Sequence, residues 1–242
     1  MNEQNTIEKM RILRLKAMAD LYSRSLKEGL YKEYTSDQYL ALMLDTEWEH
    51  RQHDKINRLI SRAGFKEIPS LQNIDYQSNR GLDRNAFERL LGLSFLQRKE
   101  NIIFSGLTGT GKSHLAQCIG LQACQMLHKT LFFKIGILFE KAKLARIEGT
   151  YLKWIAMLAK CPLLIIDDFG TVPINQENRT LLMEIVDQRY ETTSTIITSQ
   201  IPVSAWHDLL GDATIADSIM DRLVYSSHRI ELHGESLSVI GN

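Results

Sequence analysis

The hydrophobic pattern of the chain changes near residue 100. Before it, apolar residues recur every three or four positions, as in "IEKMRILRLKAMADLYSRSLKEGL", where Ile12, Leu15, Ala19 and Tyr22 fall near one stripe. Thr35, Ser36 or Asp37 is a candidate N-cap for a second long helix, and Gly64 is its predicted C-terminal stop. The pattern predicts a small all-helical unit of about 60 residues at the N-terminus.

After residue 100 the pattern becomes short, β-rich and apolar, in "NIIFSG", "TLFFKI", "PLLIIDD" and "STIITS". Helical segments separate these strands, and they are predicted at 112–127, 137–148, 176–190, 203–210 and 215–225. Strands that alternate with helices predict an α/β fold with a parallel sheet flanked by helices. The predicted division is a helical domain at 1–66, a connector at 67–100 and an α/β domain at 101–242.

The composition limits the class of protein but does not indicate a binding partner. The 242 residues are 44% hydrophobic and 24% charged, with a formal net charge of zero, so the chain as a whole is not basic. The three cysteines lie in apolar surroundings without C-x-x-C spacing, which predicts buried, reduced thiols. We find no signal-peptide pattern and no apolar run of membrane-spanning length, so we expect a cytoplasmic protein.

The stretch "GLTGTGKS" fits the phosphate-binding pattern G-x-x-x-x-G-K-[ST] between a predicted strand and a predicted helix. Glycines let the backbone N–H groups turn towards an anion, and the helix N-terminus adds a partial positive charge. Lys112 is the candidate for the β- and γ-phosphates, and the Ser113 hydroxyl for Mg²⁺. The predicted nucleotide contacts are Gly106, Leu107, Thr108, Gly109, Thr110, Gly111, Lys112, Ser113 and His114.

A second acidic motif, "LLIIDDFG", ends another apolar strand. The carboxyl ends of parallel strands meet at one edge of the sheet, so Asp167 is the candidate metal ligand. Asp168 is the candidate acid that orients or deprotonates an attacking water. Small-molecule kinases seldom need such a group because their nucleophile arrives on the substrate. The tandem acids therefore favour ATP hydrolysis.

Polar residues late in the chain are further candidates. Gln200 follows the strand "STIITS" and is predicted to sense the γ-phosphate. Arg222, at the end of a predicted helix, is predicted to point into the nucleotide site of a neighbouring subunit. Arg189 is a second candidate for a role across an interface, whereas Arg229, at the start of a predicted strand, is expected to be structural.

Basic residues recur at helical spacing in the N-terminal unit, which carries 12 Lys and Arg against 10 Asp and Glu. Such a stripe fits either a DNA phosphate backbone or an ordinary solvated helix face. His50 and His53 are three residues apart, but no acid or cysteine cluster completes a metal site beside them.

Taken in order, "GLTGTGKS", "LLIIDDFG", "STIITSQIPVSAWHDLLGD", "IADSIMDRL" and "HRIELHGESL" make the chain similar to the IstB family, from about residue 10 to residue 237. That family consists of AAA+ ATPases encoded beside an IstA-type transposase, and its wider relatives are the DnaC helicase loader and the DnaA initiator. The resemblance implies an AAA+ P-loop fold and a homo-oligomer, ring or helical, that hydrolyses ATP with Mg²⁺. It further implies that this oligomer deforms double-stranded DNA for the transposase.

The resemblance also implies roles for single residues. Lys112, Asp168, Gln200 and Arg222 become catalytic, with Ser113 and Asp167 at the metal. The segment "FEKAKLARIEGTYLKW" matches a helix that faces nucleic acid. The DNA contacts implied are Arg11, Arg14, Arg51, Lys55, Arg58, Lys141, Lys143 and Arg146.

The chain departs from the general AAA+ pattern in two places. Asp168 stands where that pattern has Glu, and only 20 residues follow Arg222, which leaves no room for a C-terminal lid domain. Two alternative functions are also compatible with these motifs. A replicative helicase loader would share every ATP motif, and a small-molecule P-loop kinase would need no arginine from a neighbour.

Overall fold

The computed structural model describes residues 3–76 and 80–234, which group into two compact units, Met1–Arg58 and Leu59–Asn242. The predicted domain bounds at 66 and 100 stay a prediction. The helices lie at α1 (Glu3–Ile12), α2 (Lys16–Glu28), α3 (Ser36–Ala63), α4 (Arg84–Leu91), α5 (Ser94–Arg98), α6 (Lys112–Gln125), α7 (Ile135–Ile147), α8 (Tyr151–Ala159), α9 (Gln176–Arg189), α10 (Trp206–Leu210) and α11 (Ala213–Val224). The strands lie at β1 (Asn101–Gly106), β2 (Thr130–Lys134), β3 (Leu163–Phe169), β4 (Ser194–Ser199) and β5 (Ser227–Leu232).

The first unit is helical, but its first helix is shorter than the sequence pattern suggests. The chain turns at Arg14, whose φ is +60°, so α1 and α2 are separate helices. Ile12 is 79% exposed, and the predicted stripe through it is therefore wrong. The buried cluster here consists of Met18, Leu21 and Met43.

Helix α3 has the predicted ends. Thr35 is its N-cap, since the Gln38 N–H donates to Thr35 Oγ1 at 3.3 Å and the Thr35 N–H donates to Gln38 Oε1 at 3.0 Å. This reciprocal pair is a capping box. Gly64 follows the helix with φ of +83°, a conformation that ends a helix at little cost only for glycine.

Glu47 joins α2 to α3 inside the first unit. Its buried carboxylate accepts hydrogen bonds from the Met18 N–H at 3.2 Å and from Arg51 Nε at 2.8 Å. Burial acts to raise the pKa of Glu47, but the bonds from Arg51, Met18 and Ala17 outweigh it, and the pKa lies below its ordinary value. Glu47 therefore caps the start of α2 from another helix.

We expect Glu47→Ala to lower the free energy of unfolding of this unit by about 1–3 kcal/mol at pH 7, because two donors lose a charged acceptor. A lowered pKa gives stability that is full above the ordinary value of 4.5 and is lost as the pH falls through the folded-state pKa. Thermal unfolding followed by circular dichroism at pH 7 and pH 3 measures both effects. Glu49→Ala, on the exposed side of the same helix, is the control, and equal losses in the two variants would contradict the assignment.

The second unit is a three-layer α/β fold. Among the described residues, five strands form one sheet in the order β2-β3-β4-β1-β5, with every neighbouring pair parallel. One face packs against α6 and the segment before β1, through residues such as Phe87, Leu115 and Ile119. The other face packs against α7 to α11, through residues such as Leu138, Ile185 and Trp206. The predicted α/β class and parallel sheet are confirmed.

Two predicted helices differ from the structure. The segment 203–210 starts as a 3-10 turn, Val203–Ala205, and becomes α-helical only at Trp206. The predicted helix at 137–148 corresponds to α7, but the segment "FEKAKLARIEGTYLKW", which the resemblance implies to be one helix, continues past Gly149, with φ of +70°, into α8. The cysteines are buried, free thiols, as predicted.

Candidate nucleotide site

The loop between β1 and α6 has the backbone that its glycines predict. Gly106 has φ of +139°, and a Cβ there would lie 2.1 Å from the Leu232 carbonyl oxygen, so no larger residue fits. Gly111, with φ of +90°, directly precedes the first residue of α6. The Thr110 hydroxyl donates to the Leu107 carbonyl at 2.8 Å and closes the loop. The loop therefore places the N-terminus of α6 at the carboxyl edge of the sheet.

Lys112 lies under this loop and is only 6% exposed. Its ammonium donates to the carbonyl oxygens of Gly106 at 2.7 Å and Leu107 at 2.6 Å. Burial lowers the pKa of Lys112, although the charges of Asp168 and Asp167 act in the opposite direction. In the described part of the chain, no carboxylate lies within ion-pair distance of the Lys112 ammonium. A buried cation held only by neutral oxygens suits a phosphate.

The two acids lie at the end of β3, beside β4. The Asp167 carboxylate is 2% exposed and accepts a hydrogen bond from the Thr198 hydroxyl at 2.6 Å. The register of β3 shifts between Ile166 and Phe169, and Asp168 adopts φ of +60° within this irregularity. The Asp168 N–H donates to the same Thr198 hydroxyl at 3.0 Å. One hydroxyl thus fixes both acidic residues.

Asp168 has a partner that the sequence pattern does not indicate. Lys134, the last residue of β2, donates to Asp168 Oδ2 at 2.7 Å. The bond to Asp168 is the main reason that the pKa of Lys134 is raised. In the sequence, Lys134 is distinguished only as a lysine that ends an apolar strand, and that strand lies next to β3. Thr198 is distinguished only as a threonine inside the buried strand "STIITS".

Gln200 reaches the loop, since its Oε1 accepts a hydrogen bond from the Thr108 hydroxyl at 2.7 Å. The end of β4 therefore meets the phosphate-loop candidate at a polar contact, and the sensing role of Gln200 stays a prediction. Ser113 is half-buried in the first turn of α6. The imidazole of His114 lies 3.5 Å from Cys118 Sγ.

Arg222 lies at the opposite edge of the sheet from this loop. The Asn101 side chain, at the start of β1, donates to the Arg222 carbonyl at 3.2 Å, whereas the loop follows the end of β1. Six residues of strand separate the two edges by roughly 17 Å. The Arg222 guanidinium donates to Asp187 Oδ1 at 3.1 Å and lies 5.7 Å from the Tyr190 ring centroid. The Arg222 side chain is 27% exposed. Its position beside the start of β1 keeps it distant from the loop of its own chain.

The other two arginines are structural. Arg189 is 2% exposed, and it donates to the Cys161 carbonyl at 2.9 Å and to Thr195 Oγ1 at 3.0 Å. Its predicted role across an interface is therefore wrong, because the side chain is enclosed by the fold. Arg229 lies within β5 and donates to the Val224 carbonyl at 3.3 Å, in line with its predicted structural role.

The predicted DNA contacts of the N-terminal unit converge on one concavity, which we call the basic cleft. Six cationic and two acidic side chains line it, together with His50 and Gln52: Arg11, Arg14, Lys16, Arg51, Lys55, Arg58, Glu47 and Asp54. Arg51 is engaged by Glu47 and by the Arg14 carbonyl, the latter at 3.0 Å. The side chain of His50 lies 3.5 Å from Asp54. The cleft therefore keeps an excess of positive charge.

The predicted contacts on α7 are more heavily paired. Lys143 lies 3.1 Å from Glu140, and Arg146 pairs with Glu177 and lies 4.6 Å from the Tyr151 ring centroid. Lys141 is exposed on the same helix. Over residues 3–76 and 80–234, no helix is long and apolar enough to cross a membrane.

Solved structures with this fold include DnaI and DnaA. DnaI has a TM-score of 0.58 at 20% identity, over 73% of this chain and 94% of DnaI. AMPPCP-bound DnaA of Aquifex aeolicus has a TM-score of 0.55 at 21% identity, over 67% of this chain and 50% of DnaA. At such identities the similarity is one of fold, and it confirms the predicted α/β fold with a parallel sheet flanked by helices.

Sequence relatives narrow the assignment further. The chain is 39% identical to a Sinorhizobium fredii protein named as the insertion sequence ATP-binding protein y4pL, over 96% of this chain and 95% of that protein. It is 31% identical to the protein of Pseudomonas aeruginosa named as the ATP-binding protein of insertion sequence IS21, over 87% of this chain and 80% of that one. Residues 8–239 match the family described as IstB-like ATP binding protein. Because this match spans nearly the whole chain, the chain belongs to the IstB-like ATP-binding protein family.

Proposed function

We propose that this protein binds and hydrolyses ATP and uses the cycle to assemble on duplex DNA, where it assists a transposase. The observation that carries the proposal is the convergence of Lys112, Asp167 and Asp168 at one edge of the sheet, with Arg222 at the other edge. Each protomer would hold the nucleotide with its own loop. Its Arg222 would contact the nucleotide that the next protomer holds.

The loop and acid residues have the chemistry that ATP and Mg²⁺ require. The ammonium of Lys112 and the N-terminus of α6 would hold the phosphates. The Ser113 hydroxyl and the Asp167 carboxylate are oxygen ligands of the kind that Mg²⁺ prefers. Bound Mg²⁺ would neutralise charge that develops on the phosphates during transfer. Asp168 would accept a proton from the attacking water, and Gln200 would report the γ-phosphate to β4.

The separation of Arg222 from its own loop supports assembly. A guanidinium about one strand length away cannot reach the phosphates of its own protomer, and at 27% exposure it faces a surface. A neighbouring protomer could bring its nucleotide to that surface. ATP would then hold the interface together, and hydrolysis would release it.

The basic cleft supports DNA as the surface on which assembly takes place. Arg14, Lys55 and Arg58 are exposed there, so their charged ends can meet phosphates. Repeated contacts in an oligomer would offset the cost of bending DNA, on the order of 1–6 kcal/mol for a short site. Lys141 would add a contact from α7, with Lys143 and Arg146 limited by their ion pairs.

The named relatives favour a role in transposition over that of a replicative helicase loader or a small-molecule kinase. Both are ATP-binding proteins of insertion sequences, and such elements depend on a transposase. The DnaC helicase loader shares the fold at 21% identity, whereas the family match and both named relatives are described as ATP-binding proteins of the IstB or insertion-sequence type. A small-molecule kinase needs neither an arginine remote from its own phosphates nor a basic cleft.

DNA binding is tested by neutralising the basic cleft. The double variant Arg14→Gln/Lys55→Gln is expected to bind duplex DNA more weakly at 100 mM salt, and its dependence of log K on log salt should be shallower by about 0.9 for each lost phosphate contact. Fluorescence anisotropy of a labelled duplex across a salt series measures both quantities. The control Lys9→Gln/Lys32→Gln removes the same charge from exposed positions of the same unit. Equal slopes for the two double variants would argue against the cleft.

A further inference from the structure

Arg80 is a buried cation that none of the roles above uses. It is 5% exposed and lies just before α4. Its guanidinium donates from Nη1 to the Thr110 carbonyl at 3.2 Å and from Nη2 to the Asp75 carbonyl at 2.5 Å. One side chain thus connects the segment before α4 to the loop that precedes α6.

The backbone of Arg80 is itself fixed to the sheet. Its carbonyl accepts a hydrogen bond from the His233 N–H at 2.8 Å, directly after β5. The next residue, Gly81, packs so closely that a Cβ would lie 2.9 Å from the Glu231 carbonyl oxygen. The guanidinium is therefore presented to the loop from a rigid support.

The contact with Thr110 determines the direction of a neighbouring N–H. In a trans peptide, the C=O and the N–H of one unit point in opposite directions. Because the Thr110 carbonyl points towards the Arg80 guanidinium, the Gly111 N–H of the same peptide unit points away from it. Among the described residues we find no hydrogen-bond acceptor for that N–H. It is thus available to an anion, as the N–H groups of such loops are.

Stability alone does not account for an arginine at this position. Within the described part of the chain, its buried Nε has no hydrogen-bond partner. Burial also lowers the pKa of Arg80, against the charges of Asp75 and Tyr76. An apolar side chain of similar volume would avoid both costs. A buried polar group left partly unsatisfied calls for a functional explanation.

We propose that Arg80 is a positioning residue for the phosphate loop. By holding the Thr110 carbonyl, it orients the Gly111 N–H towards the diphosphate of the nucleotide, and it links the segment before α4 to nucleotide binding. The inference rests on the proposed nucleotide binding. It assigns Arg80 no contact with the nucleotide itself.

The test compares two ligands on Arg80→Met: a fluorescent ADP analogue, and inorganic pyrophosphate as a competitor that has phosphates but no base. Both affinities are expected to fall by roughly tenfold, because a charged hydrogen bond that orders the loop is lost. Arg80→Lys keeps a donor for the Thr110 carbonyl and should stay within about threefold of wild type. Arg84→Met, an exposed arginine of α4 paired with Glu88, is the control.

The outcomes separate the inference from its premise. Unchanged affinity in Arg80→Met, or weaker ADP with unchanged pyrophosphate, would overturn the positioning role. Equal losses in Arg80→Lys and Arg80→Met would overturn it as well. Should Arg80→Met fail to fold, Arg80→Gln is read by the same criteria. Absence of ADP binding in the wild type would instead refute nucleotide binding, and the role of Arg80 with it.

Discussion

Replacing Arg222 by alanine is expected to lower ATP turnover by about 10³–10⁵-fold, the range over which an arginine supplied from a neighbour stabilises phosphoryl transfer. ATP affinity should change much less, because the guanidinium lies at the opposite edge of the sheet from its own loop. Steady-state phosphate release and binding of a fluorescent ATP analogue separate the two effects. Arg84→Ala, which removes an ordinary surface arginine, should leave turnover unchanged.

Mixing variants distinguishes an arginine that acts across an interface from one that only stabilises the fold. Lys112→Ala removes the ammonium that holds the phosphates but leaves Arg222 in place. Arg222→Ala keeps the loop and lacks the arginine. Each variant alone should be inactive, and a mixture should recover part of the wild-type turnover at interfaces that combine an intact loop with an intact arginine. A mixture as inactive as its components would contradict transfer between protomers.

The second large effect is expected for Asp168→Asn. An amide cannot accept the proton of the attacking water, so turnover should fall by about 10²–10⁴-fold. ATP binding should be retained, because Asp167 and Lys112 keep their own contacts. Single-turnover hydrolysis in parallel with nucleotide binding measures the separation.

The matched control for Asp168→Asn is Asp208→Asn, which changes an exposed carboxylate in the first turn of α10. It should hydrolyse ATP at the wild-type rate. Loss of ATP binding together with turnover in Asp168→Asn would assign Asp168 to the support of the loop rather than to the reaction. Asp168 also forms an ion pair with Lys134, so ATP binding must be measured together with turnover.

The sequence was most informative where local pattern and chemistry agree. The apolar strands, the loop at 106–113 and the acids at the end of β3 follow from residue types alone, because buried parallel strands and glycine turns leave few alternatives. Gly64 and Thr35 were readable for the same reason, since helix ends depend on short-range contacts.

The sequence was least informative where contacts join distant segments. Lys134 and Thr198 belong to the site only because β2 and β4 flank β3, an order that the sequence does not give directly. Arg189 looked available for an interface, but its enclosure depends on packing between α8, α9 and β4. Helical spacing around Arg14 concealed a turn, because periodicity alone does not reveal a single left-handed residue.

The central claim is that nucleotide binding and assembly on DNA are coupled. The mass of the particle in solution tests this claim most directly. Light scattering of the wild-type protein should show large assemblies when ATP and duplex DNA are both present, and much smaller particles when either is withheld. A monodisperse monomer in the presence of ATP and DNA would contradict the account.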